Sequence, residues 1–200
     1  RMHGYENIPN LVPSLPARAP RVNIQRKNEH DAREILAYSL KLTETYNYSF
    51  YSIKTIEQYG LKENGHIKLL NILSEDQTHM RATLVPNLVT SLMEAAKFEE
   101  SPALFEFGRS YKEVGEFMPE EKTVLAVAKI IKSDTFSNIK SLLEEFLDIF
   151  GVKGAELIEV QVEIPYAHPP QRAEIKLRGK SIGNIFVLHP SIQDEKIAIF

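Results

Sequence analysis

The chain has 200 residues, of which 43% are hydrophobic, with a formal net charge of −3 and no cysteine. This length suits one large domain, or one and a half, and the charge excludes a general electrostatic attraction to nucleic acid. The absence of cysteine excludes disulfides and cysteine-ligated metal and is compatible with a reducing cytoplasm, and no apolar run approaches the ~18 residues that span a bilayer.

Residues 1–27 contain four prolines and little hydrophobic periodicity. Such a segment predicts an extended connector from a preceding domain, and residues 28–200 are then predicted to form the main domain. The chain begins at Arg1 and ends on the apolar run KIAIF. We therefore expect both ends to have been cut from a longer protein.

The main domain is predicted to begin with a helix over 28–42 and a strand over 43–50. One face of the helix is apolar and should pack on a sheet; it consists of Ala32, Ile35, Leu36 and Leu40. In the strand, Tyr46, Tyr48 and Phe50 alternate onto one face. A base-stacking platform comes with a basic groove, which this stretch lacks, so the tyrosines are interpreted as sheet core.

Local signals then predict a short helix, a turn, a strand and a second helix start. Residues 52–59 favour a helix that ends at Gly60, and residues 63–65 favour a turn. Residues 66–73 are rich in Ile and Leu, which predicts a short and mostly buried strand. Ser74 and Gln77 fit the capping-box pattern, so a helix is expected to start there.

An apolar stripe from about 83 to 97 predicts a helix with a wide buried face. Leu84, Leu88 and Leu92 recur every four residues. Pro86 falls in the first turn, where amides lack internal partners, so it costs the helix little. Residues 103–112 then predict a strand that carries an exposed Arg109.

The second half of the chain predicts an antiparallel sheet with one further helix. Residues 123–131 favour a strand that pairs with 103–112. The clearest helix covers 135–150, with a cap at Ser133 or Asp134 and a stop at Gly151. A strand at 155–164 and a hairpin of 172–177 with 181–188 complete the pattern. The predicted fold class is α+β, with a mostly antiparallel sheet of about six to eight strands and about four flanking helices.

Arg81 and two histidines are the residues that invite a chemical interpretation. Arg81 is either a phosphate or carboxylate binder or half of an internal ion pair with Glu75, Asp76 or Glu106, and the ion pair is favoured. His168 and His189 each precede proline, and Glu174 lies between them in the chain. Neither histidine has a local partner at a metal-ligand spacing, so structural roles are favoured over zinc binding.

Three segments together resemble one family. They are NILSEDQTHMRATLVPNL, LFEFGRSY and RAEIKLRGKSIGNIFVLHP, in this order over about 120 residues. They are similar to the N-P-L-S-x-E-x-x-x-M-R-T-S-L-L-P, L-F-E-I-G and G-K-x-x-G-x-x-G-x-L-H-P patterns of the synthetase-like domain of phenylalanine-tRNA ligase beta subunits. The chain departs from those patterns at Ile72, Ala82, Thr83 and Asn184.

The resemblance implies a class II synthetase-like fold and a non-catalytic role within a phenylalanine-tRNA ligase. That enzyme uses ATP and magnesium to charge tRNA(Phe), and its catalytic alpha subunit is the implied partner, in a cytoplasmic alpha2beta2 heterotetramer that binds tRNA as a whole. No catalytic, cofactor-binding or metal-binding residue is expected in this chain. The family's magnesium-ligating acidic cluster is missing, and the loop at 112–122 offers carboxylates and few cations, which would repel phosphate.

The resemblance also implies a set of family-motif or interface residues, namely Arg81, Leu84, Leu88, Leu92, Glu106, Gly108 and His189. The partner is expected to bind the helix after the first strand and the helix at 83–97. Their apolar faces should then be partly unsatisfied, so that the purified chain dimerises or aggregates. Two alternatives stay open: a free-standing synthetase paralogue that binds an amino acid or a nucleotide, and a plain tRNA-binding module.

Overall fold

The computed structural model describes residues 4–12, 14, 16, 19, 21–72, 74–115, 118–160 and 162–200. Four α-helices and nine strands form its regular structure. The helices are α1 Ile24–Glu34, α2 Ile53–Gln58, α3 Val85–Ala95 and α4 Thr135–Phe150. The strands are β1 Thr43–Glu44, β2 Phe50–Tyr51, β3 His79–Met80, β4 Ala103–Lys112, β5 Glu120–Ile130, β6 Ala155–Ile158, β7 Ala167–Leu177, β8 Lys180–Leu188 and β9 Ile197–Ile199.

Seven of these strands form one sheet in the order β1-β4-β5-β9-β8-β7-β6, and β2 and β3 form a separate two-stranded ribbon. Only the β1–β4 pair is parallel; the other pairs in the sheet are antiparallel. The predicted α+β class with a mostly antiparallel sheet is therefore confirmed.

The helices cover the sheet on both faces. On one face, α3 packs against residues that include Leu104, Ala126, Phe186 and Ile199. On the other face, α1 and α4 pack against the residues that alternate with these along the same strands. They include Phe105, Val127, Ile185 and Ala198. This alternation follows from the two-residue period of a strand, which sends successive side chains to opposite faces.

The N-terminal helix differs from the prediction in both of its ends. It begins at Ile24 because the Asn23 side chain caps it by accepting a hydrogen bond from the Arg26 amide (3.1 Å). A π-helical turn over Ile35–Ser39 continues it, and the Leu40 amide donates to the Ile35 carbonyl. The connector predicted for 1–27 is therefore too long at its C-terminal end, where the Asn23 cap was missed.

The predicted strand over 43–50 is wrong between Glu44 and Phe50, which belong to two different short strands. The chain leaves the sheet after β1, and the Asn47 side chain turns inward to reach Glu106 in β4 (2.8 Å). The neighbouring Tyr46 and Tyr48 point outward, with 74% of each side chain exposed. The interpretation of these tyrosines as sheet core is therefore wrong, because the hydrogen bonds of Asn47 to Glu106 turn the opposite face of this segment inward.

The strand predicted for 66–73 and the helix start predicted at Ser74 are also wrong. Lys68 makes a single isolated bridge to His79, and Leu70 is 99% exposed. Ser74 closes a turn instead, in which its carbonyl accepts from the Gln77 amide (3.0 Å), and the chain then runs into β3. The helix that the apolar stripe predicts begins at Val85, with Pro86 in its first turn as expected.

The second half of the chain follows the prediction closely. β4 pairs with β5 over the whole range from Ala103 to Lys112, and α4 ends at Gly151, whose φ of +82° suits glycine. The predicted hairpin is confirmed as β7 and β8, although β6 stops at Ile158 rather than at 164. Asp134 precedes α4 but makes no side-chain capping hydrogen bond. Among the described residues, no helix is long and apolar enough to cross a membrane.

The apolar faces expected to await a partner are already covered. Leu84, Leu88 and Leu92 are 0–1% exposed and belong to the core between α3 and the sheet. In the helix after the first strand, Ile56 is likewise buried. The expectation that these faces are partly unsatisfied is therefore wrong, because the sheet of the same chain covers the α3 face and Ile56 is already buried in the folded chain.

Candidate functional site

Arg81 follows β3 and lies where the β2–β3 ribbon meets the sheet. Its amide donates to the Ser49 carbonyl (2.9 Å), and its carbonyl accepts from the Tyr111 amide in β4 (2.9 Å). These two bonds fix the backbone of Arg81 between the loop that precedes β2 and the far end of β4. The side chain is directed into the protein and is 2% exposed.

The Arg81 guanidinium is satisfied by groups of the same chain. Its Nη1 donates to Glu106 Oε1 (2.7 Å), and its Nε donates to the Arg109 carbonyl (2.9 Å). A longer contact joins Nη1 to the Tyr48 carbonyl (3.4 Å). The favoured interpretation of Arg81 as half of an internal ion pair is therefore correct, and its partner is Glu106.

Glu106 connects the ion pair to α3 through two polar side chains. Its carboxylate is 1% exposed and accepts from both the Asn47 amide (3.3 Å) and Asn47 Nδ2 (2.8 Å). The Asn47 Oδ1 in turn accepts from Ser91 Oγ on α3 (2.7 Å). A buried charge pair is stable only when its remaining donors and acceptors are matched, and this network supplies the matches.

Gly108 makes room for the ion pair. A Cβ atom at this position would overlap Arg81 Nη2 and lie 2.9 Å from Leu84 Cδ2 and 3.0 Å from Glu106 Oε1. The backbone of Gly108 is not in the left-handed region, so the requirement for glycine is one of space. Four of the sequence-predicted residues, Arg81, Leu84, Glu106 and Gly108, are thus brought together by packing.

A second buried polar cluster lies beside Arg81 and was missed from the sequence. The Ala82 amide donates to Tyr51 Oη (2.9 Å), and Tyr51 Oη lies 2.6 Å from His66 Nε2. His66 Nδ1 is 2.8 Å from the Lys62 carbonyl, which can only accept. Nδ1 therefore carries the proton, so Nε2 accepts from the Tyr51 hydroxyl. The sequence alone does not show this arrangement, because it depends on the fold bringing β2 next to the 62–66 turn.

Burial favours the neutral forms of both groups in this cluster. Desolvation lowers the pKa of His66, with the nearby His79 acting in the same direction, although hydrogen bonds to the backbone of Lys62 and Glu63 oppose it. Desolvation also raises the pKa of Tyr51 to about 12. A neutral His66 that accepts from a neutral Tyr51 satisfies all the bonds described above.

A groove lies over the α3 face of the sheet and reaches through to the α4 side. It encloses about 620 Å³. Its polar lining consists of Gln25, Thr83, Ser110, Lys122, Thr123, Tyr166 and Asn184, and the rest is mostly apolar. Lys122 is the single cation among the described residues that line it, and it is paired with Glu120 (2.8 Å).

His189 lies apart from the Arg81 network, at the C-terminal end of β8. Its Nδ1 accepts from the Ser191 amide (3.1 Å), and its own amide donates to the Tyr166 carbonyl (2.9 Å). The His168 ring lies beside the His189 ring, with 6.1 Å between centroids. Glu174 lies near Lys176 instead (3.9 Å). His189 thus stabilises a turn, in line with the structural role favoured for it.

The sequence was compared with protein-family models and with curated proteins. The model of the phenylalanyl tRNA synthetase beta chain CLM domain matches residues 8–196. The chain belongs to this family. The beta subunit of phenylalanine–tRNA ligase from Solibacter usitatus is 30% identical over 96% of the chain, and that from Listeria innocua is 28% identical over 96%. The chain spans about 25% of the length of each of these relatives.

Solved structures agree on the fold. Pyrrolysyl-tRNA synthetase from Desulfitobacterium hafniense matches with a TM-score of 0.70 over 88% of this chain and 64% of that one, at 13% identity. A second structure of that synthetase gives a TM-score of 0.68. The class II synthetase-like fold that the resemblance implies is therefore confirmed, while identity this low shows the fold alone.

We expect the Arg81–Glu106 pair to be a large contributor to stability. The Arg81→Met variant leaves the Glu106 carboxylate buried without its cation, which should lower the free energy of unfolding by about 3–5 kcal/mol. Urea unfolding followed by circular dichroism measures this change.

The matched control for that variant is Arg109→Met. Arg109 forms an exposed pair with Glu121 (2.8 Å), so its loss should cost less than about 1 kcal/mol. Equal effects of the two substitutions on the free energy of unfolding would contradict the role given to Arg81.

Stability should also fall in mild acid because of His66. The folded-state pKa of this group is lowered, so the unfolded chain binds more protons. The contribution of His66 is complete above its unfolded pKa of about 6.5 and is lost as the pH falls through the folded value, with a slope of at most about 1.4 kcal/mol per pH unit.

Urea unfolding at a series of pH values tests this expectation. The His66→Gln variant should lose part of the pH dependence, whereas His30→Gln, at an exposed position on α1, should retain it. If the His66→Gln curve runs parallel to that of the parent chain, the pH dependence arises elsewhere.

Proposed function

We propose that this chain is a non-catalytic, synthetase-like domain of a phenylalanine–tRNA ligase and that it acts by associating with the catalytic alpha subunit. The observation that carries the proposal is that the cations near the groove are paired with carboxylates of the same chain. Arg81, which directly precedes the groove-lining residues 82–85, is neutralised inside the protein by Glu106. The family match supports membership of the beta subunit.

Adenylate formation needs cations that stabilise the charge on transferring phosphates. The described lining of the groove offers Lys122 alone, which is paired with Glu120. Arg109, on the neighbouring strand, is paired with Glu121. Each of these two cations is held by a neighbouring carboxylate, so neither is free to bind the phosphates of a nucleoside triphosphate.

In this proposal, chemistry with ATP, magnesium and phenylalanine takes place in the alpha subunit. The beta subunit contributes structure to an alpha2beta2 assembly in the cytoplasm, and tRNA(Phe) binds the assembly as a whole. The name of these relatives, phenylalanine–tRNA ligase beta subunit, supports a partner subunit of this kind.

The exposed tyrosines beside β1 are the proposed contact with the alpha subunit. Tyr46 and Tyr48 are 74% exposed and follow β1, which is an edge strand of the seven-stranded sheet. Backbone bonds hold their loop: the Tyr48 carbonyl accepts from Asn87 Nδ2 (3.3 Å) on α3. Aromatic side chains on a fixed loop are typical anchors of protein interfaces, because they bury much area at little entropic cost.

The chain alone should bind no substrate of the ligase. We expect no rise in melting temperature on addition of phenylalanine, ATP and magnesium, and no ATP–pyrophosphate exchange. A ligand at about 100 times its dissociation constant would stabilise the fold by about 2.7 kcal/mol, which differential scanning fluorimetry detects. The alpha subunit mixed with the full-length beta subunit serves as the positive control. Stabilisation of the chain alone by phenylalanine or ATP would favour the free-standing paralogue instead.

The contact proposed for the tyrosines predicts a loss of affinity for the alpha subunit. The double variant Tyr46→Ser and Tyr48→Ser in the full-length beta subunit should weaken association by about tenfold or more, because each lost anchor costs about 1 kcal/mol or more. Surface plasmon resonance measures the dissociation constant.

Phe98→Ser is the matched control for the tyrosine variant. Phe98 is even more exposed than the tyrosines but follows the C-terminal end of α3. It should leave the affinity unchanged. A normal affinity of the tyrosine variant would exclude this surface, and equal losses in both variants would point to a general defect.

A further inference from the structure

The turn between α2 and the segment that leads to β3 contains the only Asn-Gly pair of the sequence, Asn64 and Gly65. The His66 amide donates to the Glu63 carbonyl (3.0 Å), so Asn64 and Gly65 occupy the two central positions of a β-turn. Gly65 has a φ of +99°, in a region that residues with a side chain rarely adopt. Asn64 is exposed, so water reaches this pair freely.

The polar groups of this pair are not held by hydrogen bonds. In the described part of the chain, neither the Asn64 side chain nor the Gly65 amide has a hydrogen-bond partner. A Cβ atom at Gly65 would meet no other atom within 4 Å. Every other asparagine in the sequence is followed by isoleucine, leucine, glutamate or tyrosine, whose side chain shields its own backbone amide. Asn64 is therefore the asparagine whose carboxamide the next backbone nitrogen reaches most easily.

Two adjacent groups of this kind can react with each other without a catalyst. The Gly65 nitrogen gives its proton to water or hydroxide and attacks the side-chain carbonyl carbon of Asn64, and Nδ2 leaves as ammonia. The product is a succinimide ring, in which the Gly65 nitrogen is bonded to both carbonyl carbons of residue 64. Water then opens the ring, at the side-chain carbonyl to give aspartate or at the main-chain carbonyl to give isoaspartate. Attack within one turn is favoured because the two groups are already adjacent.

We propose that Asn64 and Gly65 form a site of spontaneous covalent modification, at which the folded protein converts Asn64 to isoaspartate and aspartate and thereby loosens the 62–66 turn. Isoaspartate routes the main chain through the side chain of residue 64. It therefore inserts one methylene group between the α-carbon of this residue and the Gly65 nitrogen, and it adds a carboxylate where a neutral amide was.

The modification acts on a turn that joins several parts of the structure. The Gly65 carbonyl accepts from the amide of Glu113, which lies just beyond β4 (3.1 Å). His66 Nε2 accepts from the Tyr51 hydroxyl in β2 (2.6 Å). A methylene group inserted between Glu63 and His66 displaces the His66 amide from the Glu63 carbonyl. The bond that closes the turn is therefore the first to be lost, and the links to β2 and to the β4–β5 hairpin weaken with it.

Two other exposed asparagines provide comparisons within the same chain. Asn138 lies in α4 and Asn184 lies in β8. Each precedes an isoleucine that is 0% exposed, Ile139 and Ile185 respectively. The regular backbone and the buried side chain that follows keep both sites away from the geometry of ring closure. Both asparagines should therefore react slowly, although their side chains are as accessible to water as that of Asn64.

The test ages the full-length beta subunit at slightly alkaline pH and physiological temperature. Peptide mapping by mass spectrometry with electron-transfer fragmentation follows the loss of each asparagine and distinguishes isoaspartate from aspartate. Asn64→Gln is the matched control, because its longer side chain would have to close a larger ring, which forms far more slowly. Asn64→Asp, freshly purified, supplies the charge of the product with an ordinary main chain. Hydrogen exchange at the His66 amide, compared between the modified and unmodified peptides of one sample, reports on the turn.

Asn64 should be lost about tenfold faster or more than Asn138 and Asn184, with isoaspartate among the products, whereas Asn64→Gln should stay unmodified at this position. Exchange at the His66 amide should be about tenfold faster or more in the isoaspartate form and unchanged in Asn64→Asp. Loss of Asn64 no faster than that of Asn138, or aspartate as the single product, would overturn the proposed reaction. Equal exchange at His66 in the isoaspartate and unmodified forms would overturn the loosening of the turn.

Discussion

The buried ion pair between Arg81 and Glu106 is the interaction on which the arrangement of ribbon, loop and sheet depends. Glu106 belongs to β4, Arg81 follows β3, and Asn47 belongs to the segment between β1 and β2. Two buried charges cost several kcal/mol each in desolvation, and this cost is offset only when the geometry matches every donor and acceptor. The Arg109 carbonyl and the Asn47 amide groups supply those matches. One arrangement of the three segments satisfies all of them, and Gly108 leaves the space for it.

The same interaction explains how a synthetase-like domain can keep its shape while the groove has few cations. The guanidinium that a ligand-binding site would present is turned inward and neutralised, so it stabilises the fold instead. Close to it, the Tyr51–His66 bond joins the ribbon to the 62–66 turn in the same manner. The polar groups of Arg81, Tyr51 and His66 next to the groove are therefore already bonded within the chain.

The sequence predicted those parts of the fold that local periodicity determines. The helix α4, the β4–β5 pair and the β7–β8 hairpin follow from apolar spacing, and glycines mark their ends. The errors lie where a distant residue decides the local structure. Tyr46 and Tyr48 point outward because Asn47 bonds to Glu106, which lies 59 positions away in the chain. In the candidate site, the Arg81–Glu106 pair could be predicted from the opposite charges of the two residues and from the order of the elements that carry them. The cluster of Tyr51 and His66 gives no signal in the sequence.

The two halves of the sheet are held together mainly by helices. In the described part of the chain, β9 is the only strand that joins β1-β4-β5 to β8-β7-β6, and it contributes three residues. The apolar core beneath α3 contains residues of both halves, among them Ala126 and Phe186, and α4 spans the joint on the opposite face. Burial of apolar surface is not directional, so this packing holds the halves together without fixing their backbones in register. A ladder would supply that register. In the described part of the chain, the three residues of β9 are the ladder that does so.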